Sequence, residues 1–289
     1  MAGKTKKKTL EKKVAALGVR LRSFGRILVA FSGGTDSAFL LNEAVRALGA
    51  AKVVAATAVS ATFTDGERRR AERICRTLGV RHELLHSSEL EDRSFARNDR
   101  ERCYHCKKIR FRGLIELARR LDMDRVVEAS QADDRGDYRP GKRAVAELNV
   151  ESPLLDEGFT KEEVRFCSRQ RGLETADLPA AACLASRIPY GTPIDEPLLE
   201  RLARGEKNVR RLGFKNFRLR HHGPVARLEF DPAEMERAFR FRRSLHKRIT
   251  AEGWAYVALD LMGYRTGSLN ETLDLDEPRR PRAGRKKSP

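Results

Sequence analysis

Six consecutive residues, Ser32-Gly33-Gly34-Thr35-Asp36-Ser37, have the types and order needed to hold phosphate. The two glycines bring no side chain between main chain and ligand and reach conformations closed to other residues. Main-chain N–H groups can then face an anion, Ser32 and Ser37 add hydroxyl donors, and a helix beginning here adds a favourable dipole. Asp36 has the wrong charge for phosphate, so its expected role is to position Mg2+ or to order the loop. Glycine turns with a Ser or Asp cap join strand to helix in many α/β proteins. A six-residue block directly after an apolar strand goes beyond that, and its spacing differs from GxxxxGK[ST].

Three cysteines form the second constellation. Cys103 and Cys106 make a CxxC in ERCYHCKK, and Cys183 follows a run of small residues. A two-residue spacing lets both sulfurs point to one centre, and Arg102, Lys107 and Lys108 are expected to favour thiolate. The pair alone also admits a redox couple, half of a zinc site with His105, or simple packing. Cys75 and Cys167 fall within predicted helices and read as inert hydrophobes. The loop ADDRGDYRPG (132–141) brings Asp134 and Asp137 as candidates for metal binding or loop order, and Arg139 for phosphate. Arg187, four residues past Cys183, offers a guanidinium fork suited to a triphosphate or adenylate.

The elements that must position these groups follow from hydrophobic period. RILVAF (26–31), KVVAATAV (52–59), RHELLH (81–86) and RVVEAS (125–130) read as strands. Helical patterns at 37–48, 64–78, 107–121, 142–148 and 160–171 alternate with or follow them, which predicts an α/β domain with a parallel sheet. From about Tyr190 the order changes to helix (196–212), FRLRHH, VARLEF, a basic helix (232–251) and YVALDL, which predicts a smaller α+β domain. Trp254 reads as core or interface. The expected division is a basic disordered tail over 1–13, a first domain over 14–188, a second over 189–275, and a second basic tail over 276–289.

Of the net charge of +18, residues 1–13 carry +5 and residues 276–289 carry +4. Half therefore sits in segments with little to bury, for which solvation is the plain explanation and nucleic-acid binding a secondary one. No apolar run approaches the ~20 residues of a membrane span. The start, MAGKTKKKTLEKK, is not followed by the apolar stretch of a secretory signal, so a cytoplasmic protein with reduced cysteines is expected.

SGGTDS resembles the signature of PP-loop enzymes, which cleave ATP to AMP and pyrophosphate. With ERCYHCKK, ADDRGDYRPG, ESPLLDEGFTKEEVR (151–165), CLASRIPYGTPI (183–194), RRLGF (210–214) and YVALDLMGYRTGSLN (256–270), the chain resembles the LarE sulfur transferases over nearly its whole length between the tails. The resemblance implies binding of ATP by Ser32, Gly33, Gly34, Asp36, Ser37 and Arg187. It also implies adenylation of a carboxylate on a pyridinium dicarboxylate mononucleotide, then displacement of AMP by sulfur to leave a thiocarboxylate. Cys183 matches the cysteine that part of the family sacrifices as sulfur source. Cys103 and Cys106 depart from that pattern and resemble a branch in which, together with Cys183, they hold a four-iron four-sulfur (4Fe-4S) cluster. The cluster is the main expectation, with sacrificial Cys183 and a zinc or metal-free centre left open. Asp134, Asp137, Arg139, Glu206, Arg218, Arg220 and Arg265 match positions resembling a phosphate or substrate site, although arginines at alternate strand positions, as in FRLR, usually mark a solvated face. A homo-oligomer is expected and the sulfur donor is not indicated. The alternatives are a PP-loop iron–sulfur tRNA thiolase and a zinc-bearing nucleic-acid-binding protein without catalysis.

Overall fold

The structure, a computed structural model, describes residues 2–136, 140–178, 182–265 and 268–269. Its chain separates into two compact units, one of Met1–Cys183 with Tyr190–Glu196, the other of Leu184–Pro189 with Pro197 onward. The division expected at 188/189 is therefore crossed twice more. Ser186 and Arg187 bond within the second unit, while Gly191 and Ile194 return by backbone hydrogen bonds to Asn98 and Ala96 of the first.

In the first unit the elements run α1 (Ala2–Ser23), β1 (Ile27–Ala30), α2 (Thr35–Leu48), β2 (Val53–Val59), α3 (Asp65–Leu78), β3 (Arg81–His86), α4 (Arg93–Ala96), α5 (Arg102–Arg120), β4 (Arg125–Val127), α6 (Gly141–Glu147), α7 (Pro153–Asp156) and α8 (Lys161–Gln170). Four parallel strands lie in the order β3-β2-β1-β4, with Ile27 opposite both Val53 and Arg125. Alternation along β1 explains why both faces are covered: Ile27 and Val29 enter one core with α1, α2, α3 and α8, whereas Leu28 enters the other with Phe111, Leu114 and Val145 of α5 and α6. The chain passes from β1 to β2 on one side, and β4 is added on the other. The crevice beyond the carboxyl ends of β1 and β4 is thus the expected ligand position in such a sheet.

Local sequence accounts for several boundaries. Thr64 and Thr160 open α3 and α8 with complete capping boxes to Glu67 and Glu163. Helix α1 takes in part of the segment expected as a tail over 1–13. Leu10, Val14, Leu17 and Leu21 recur at helical spacing and pack into the core, Lys13 meets Glu163 at 2.7 Å, and Arg20 meets Glu157 at 2.6 Å. That apolar stripe gives the lysine-rich start a helix to join. The second expected tail, 276–289, lies outside the described residues.

The second unit holds α9 (Glu196–Arg210), β5 (Phe217–His222), β6 (Val225–Phe230), α10 (Met235–Arg240), α11 (Arg242–Thr250) and β7 (Tyr256–Leu259). Its sheet is β5-β6-β7, antiparallel between the first two strands and parallel between the last two. Trp254 is 2% exposed and donates its indole N–H to His221 Nδ1 at 3.2 Å, which makes it a core residue. Helix α9 presses close to the sheet at Gly205, where an added Cβ would come within 2.3 Å of Leu219.

Candidate active site

The predicted phosphate loop is a strand-turn-helix corner. Phe31 leaves β1 by donating to Ala56 O, Gly33 takes a left-handed φ of +71°, and Gly34 stands as the N-cap of α2 with no side chain closing the helix end. Because the first α-helical bond runs from Ala38 N to Gly34 O, the N–H groups of the opening turn precede the ladder. Ser32 and Ser37 are brought together, their hydroxyl oxygens 3.1 Å apart, and Ser32 Oγ accepts from Gly34 N. The loop is braced from outside: Arg70 donates to Gly33 O at 2.9 Å and Thr35 to Thr175 O at 2.7 Å. A Cβ on Gly33 would meet Ala71 at 3.3 Å, so both the turn and its close contact with α3 require glycine. Asp36 sits in the first turn of α2, half-buried.

Helix α5 begins at Arg102, five residues earlier than its apolar pattern suggests, which places Cys103 and Cys106 three apart on one helix face. The turn before it is built on Asn98, fully buried at φ +57°, whose side chain accepts from Arg102 and donates to Thr192 O at 2.7 Å. Gly191 and Ile194 bond to the same turn, and Arg102 lies over the Tyr190 ring. Residues 190–194 are thereby fastened beside the cysteine helix. Cys103 and Cys183 are exposed, Cys106 is half-buried, and Cys183 acts electrostatically on both others.

Burial pushes the Cys106 thiol up to about 12 against the opposing charge of Arg110, and crowding raises Cys103 despite Arg102. The expectation that basic neighbours favour thiolate is thus corrected: desolvation outweighs them, and Lys107 and Lys108 are drawn to Glu128 and Glu147. Among the described residues no three His, Cys, Asp or Glu side chains are grouped closely enough to share a single metal ion. Cys75 and Cys167 are buried with raised thiols, as inert cysteines should be.

Asp134 is 5% exposed and accepts from Gln131 N at 3.0 Å, so its carboxylate orders the loop after β4. Asp137 and Arg139 lie outside the described residues. In the second unit the solvated-face expectation for FRLR fails, since Arg218 and Arg220 are 7% and 6% exposed. Arg187 donates to Glu206 at 2.7 Å, Arg210 reaches the same carboxylate at 2.8 Å, and Arg220 forks onto Glu229 while also donating to Ser186 O and Ser268. Arg218 lies over the Tyr264 ring and feels the charges of Arg187 and Arg220. Burying this many guanidinium groups around two carboxylates leaves a cationic surplus suited to an anion. Arg265 joins the edge of this network through Asp260, which also holds Arg227.

Sequence reasoning missed Glu89 and Arg110. Glu89 is 1% exposed and pairs with Arg110, whose Nη2 also bonds Ser60 and Thr62. The available signal was Arg110 at the i+4 position from Cys106; nothing in SSELED marks Glu89 as buried. Buried oxygens of Glu89, Ser87 and Gln131 have no hydrogen-bond partner among the described residues, and all three residues follow carboxyl ends of the sheet strands.

No protein-family model matches the chain. It is 33% identical over 265 residues, 92% of this chain and 96% of the relative, to pyridinium-3,5-bisthiocarboxylic acid mononucleotide synthase of Lactiplantibacillus plantarum. An uncharacterized protein of Synechocystis sp. is 36% identical over 91% of this chain and 99% of its own length. The NH3-dependent NAD+ synthetase of Chlorobaculum tepidum matches 78 residues at 36% identity, 27% of this chain and 28% of its own. Identity of 33% to the synthase over 92% of the chain, on a parallel sheet carrying SGGTDS at a strand-helix corner, places this chain in the LarE family of PP-loop sulfur-inserting enzymes.

Proposed function

We propose that this enzyme adenylates a carboxylate of pyridinium-3,5-biscarboxylic acid mononucleotide with ATP and replaces its oxygen with sulfur. The observation that carries the reading is the open corner at Gly34–Ser37, in the same unit as the three cysteines. The N–H groups of α2 and the Ser32 and Ser37 hydroxyls hold phosphate oxygens. Attack of the substrate carboxylate on the α-phosphorus expels pyrophosphate, and sulfur attack on the acyl carbon then expels AMP, a far better leaving group than oxide. Asp36 fits a Mg2+ site, because a carboxylate beside bound phosphate needs a cation between them. The buried arginines of the second unit, Arg187, Arg218 and Arg220, suit the nucleotide's phosphate, with Glu206 and Glu229 setting their direction.

The sulfur centre is Cys103, Cys106 and Cys183. Three thiols, two on one face of α5 and one on the 183 segment, are the residues that would hold a four-iron four-sulfur cluster. Such a cluster supplies, when bound, one iron without a protein ligand that can carry an additional sulfide. The chain's own contribution is to hold three thiols on α5 and the 183 segment and to set positive charge around them.

The test is anaerobic incubation with ATP, Mg2+ and the dicarboxylate nucleotide, with nucleotides and products followed by mass spectrometry. AMP, pyrophosphate and a product carrying sulfur in place of one oxygen are expected. Failure to form AMP with this substrate, alongside thiolation of tRNA, would refute the assignment.

A further inference from the structure

Arg110 is held more elaborately than a helix-surface arginine needs. It lies on α5 one turn beyond Cys106 and two beyond Cys103, on the same face. Its Nε donates to Glu89 in the turn after β3, and its Nη2 donates to Ser60 Oγ at 3.1 Å and Thr62 Oγ1 at 2.7 Å, both after β2. Those hydroxyls are themselves 2.9 Å apart. Three side chains from two loops at the carboxyl edge of the sheet therefore converge on one guanidinium. Glu89 also accepts a contact from the Cys106 sulfur at 3.7 Å, so one carboxylate ties the arginine to the cysteine helix.

Such a pair is expensive to bury, and an apolar pair of similar volume would stabilise the fold at least as well. What an apolar pair cannot do is place fixed positive charge beside sulfur. Burial works against the charge of Arg110, but Cys106 and Glu89 outweigh it, and Cys183 adds to their effect from a separate segment of chain. The one guanidinium is thus sensed by two cysteines that α5 alone could not bring together.

We propose that Arg110, seated by Glu89, Ser60 and Thr62, is the positioning residue for the sulfur anion that is transferred, holding hydrosulfide at the three-cysteine centre. This rests on the cluster reading above. An arginine suits the task because it stays protonated even when buried, and so attracts the anion without giving it a proton. In the transfer, the hydrosulfide lone pair forms the carbon–sulfur bond, the acyl carbon–oxygen bond breaks, and its electrons leave with AMP. The remaining S–H proton is released to water, and nothing is oxidised or reduced.

The test uses anaerobically reconstituted full-length protein and reads iron content and the change in visible absorption on titration with sodium hydrosulfide. R110M should keep wild-type iron and raise the half-saturating hydrosulfide concentration about tenfold, or about 1.4 kcal/mol. R110K should restore part of the affinity, and T62V, which removes one seat bond but no charge, should weaken binding several-fold. R110M with wild-type iron and wild-type hydrosulfide affinity overturns the proposal. Loss of iron in both R110M and R110K also overturns it, because Arg110 would then serve assembly. A wild-type protein that takes up no iron defeats the cluster reading instead, and this inference with it.

Discussion

Replacing Glu206 by Gln tests whether the second unit is held by charge rather than by area. Glu206 is 1% exposed, Arg187 is 4% exposed, and the carboxylate bridges Arg187 and Arg210 at 2.7 and 2.8 Å. Breaking a buried pair from one side costs about 3–5 kcal/mol, since the partner charge stays behind. Glutamine keeps a neutral acceptor, so the lower end, about 3 kcal/mol, is expected. Trp254 is the chain's single tryptophan and is buried in this unit, so urea unfolding followed by its fluorescence reads this unit directly. Burial by itself would push Glu206 up, but Arg187, then Arg210 and Arg218, hold its carboxyl below the ordinary value. A carboxyl lowered on folding contributes fully above its unfolded pKa of about 4.3 and loses that contribution as pH falls through the folded value. The gap between wild type and E206Q should therefore be flat from pH 7 to about 5 and close in stronger acid. The double variant R187M/E206Q should recover part of the loss. A gap under about 1 kcal/mol at pH 7, or one that widens in acid, would refute the reasoning.

At the other sites the expected outcomes are as sharp. Wild-type protein prepared without oxygen should be brown, and C103A, C106A or C183A should each lose iron while C75A and C167A retain it. A colourless wild type whose intact mass falls by one sulfur and its hydrogens after a single turnover would show that Cys183 is consumed. G33A forces a left-handed φ on alanine and sets its Cβ 3.3 Å from Ala71. It should cost about 1–2 kcal/mol in stability and raise the KM for ATP in a pyrophosphate-release assay, and an unchanged KM would remove the loop from phosphate binding.

Legibility followed how local each cause was. The corner at Ser32–Ser37 was readable because its glycines, its preceding apolar strand and its following helix are contiguous. The helix starts at Thr64 and Thr160 were readable for the same reason, since each cap and its glutamate lie within four residues. Over residues 1–13 six lysines hide the start of a stripe whose core draws on α2 and, far along the chain, on Phe159 and Val164. FRLR looked solvated because its counter-charges, Glu206 and Glu229, come from other elements. The thiols of Cys103 and Cys106 looked activated because sequence lists basic neighbours but not the atoms that desolvate them. Glu89 and Arg110 were invisible as a pair, since 21 residues and a strand-to-helix connection separate them.

Helix α1 also sets an order for biosynthesis. Its charged contacts reach Glu157 and Glu163, and its leucines share a core with Leu154, Phe159 and Val164, all more than 130 residues later. At ribosomal speed that interval takes roughly 10–30 s, during which α2 is the stripe's main partner. The lysines around it then act as a solubilising escort for the nascent chain. The same helix gains its far partners on α7 and α8 last, after every strand of its sheet has been made.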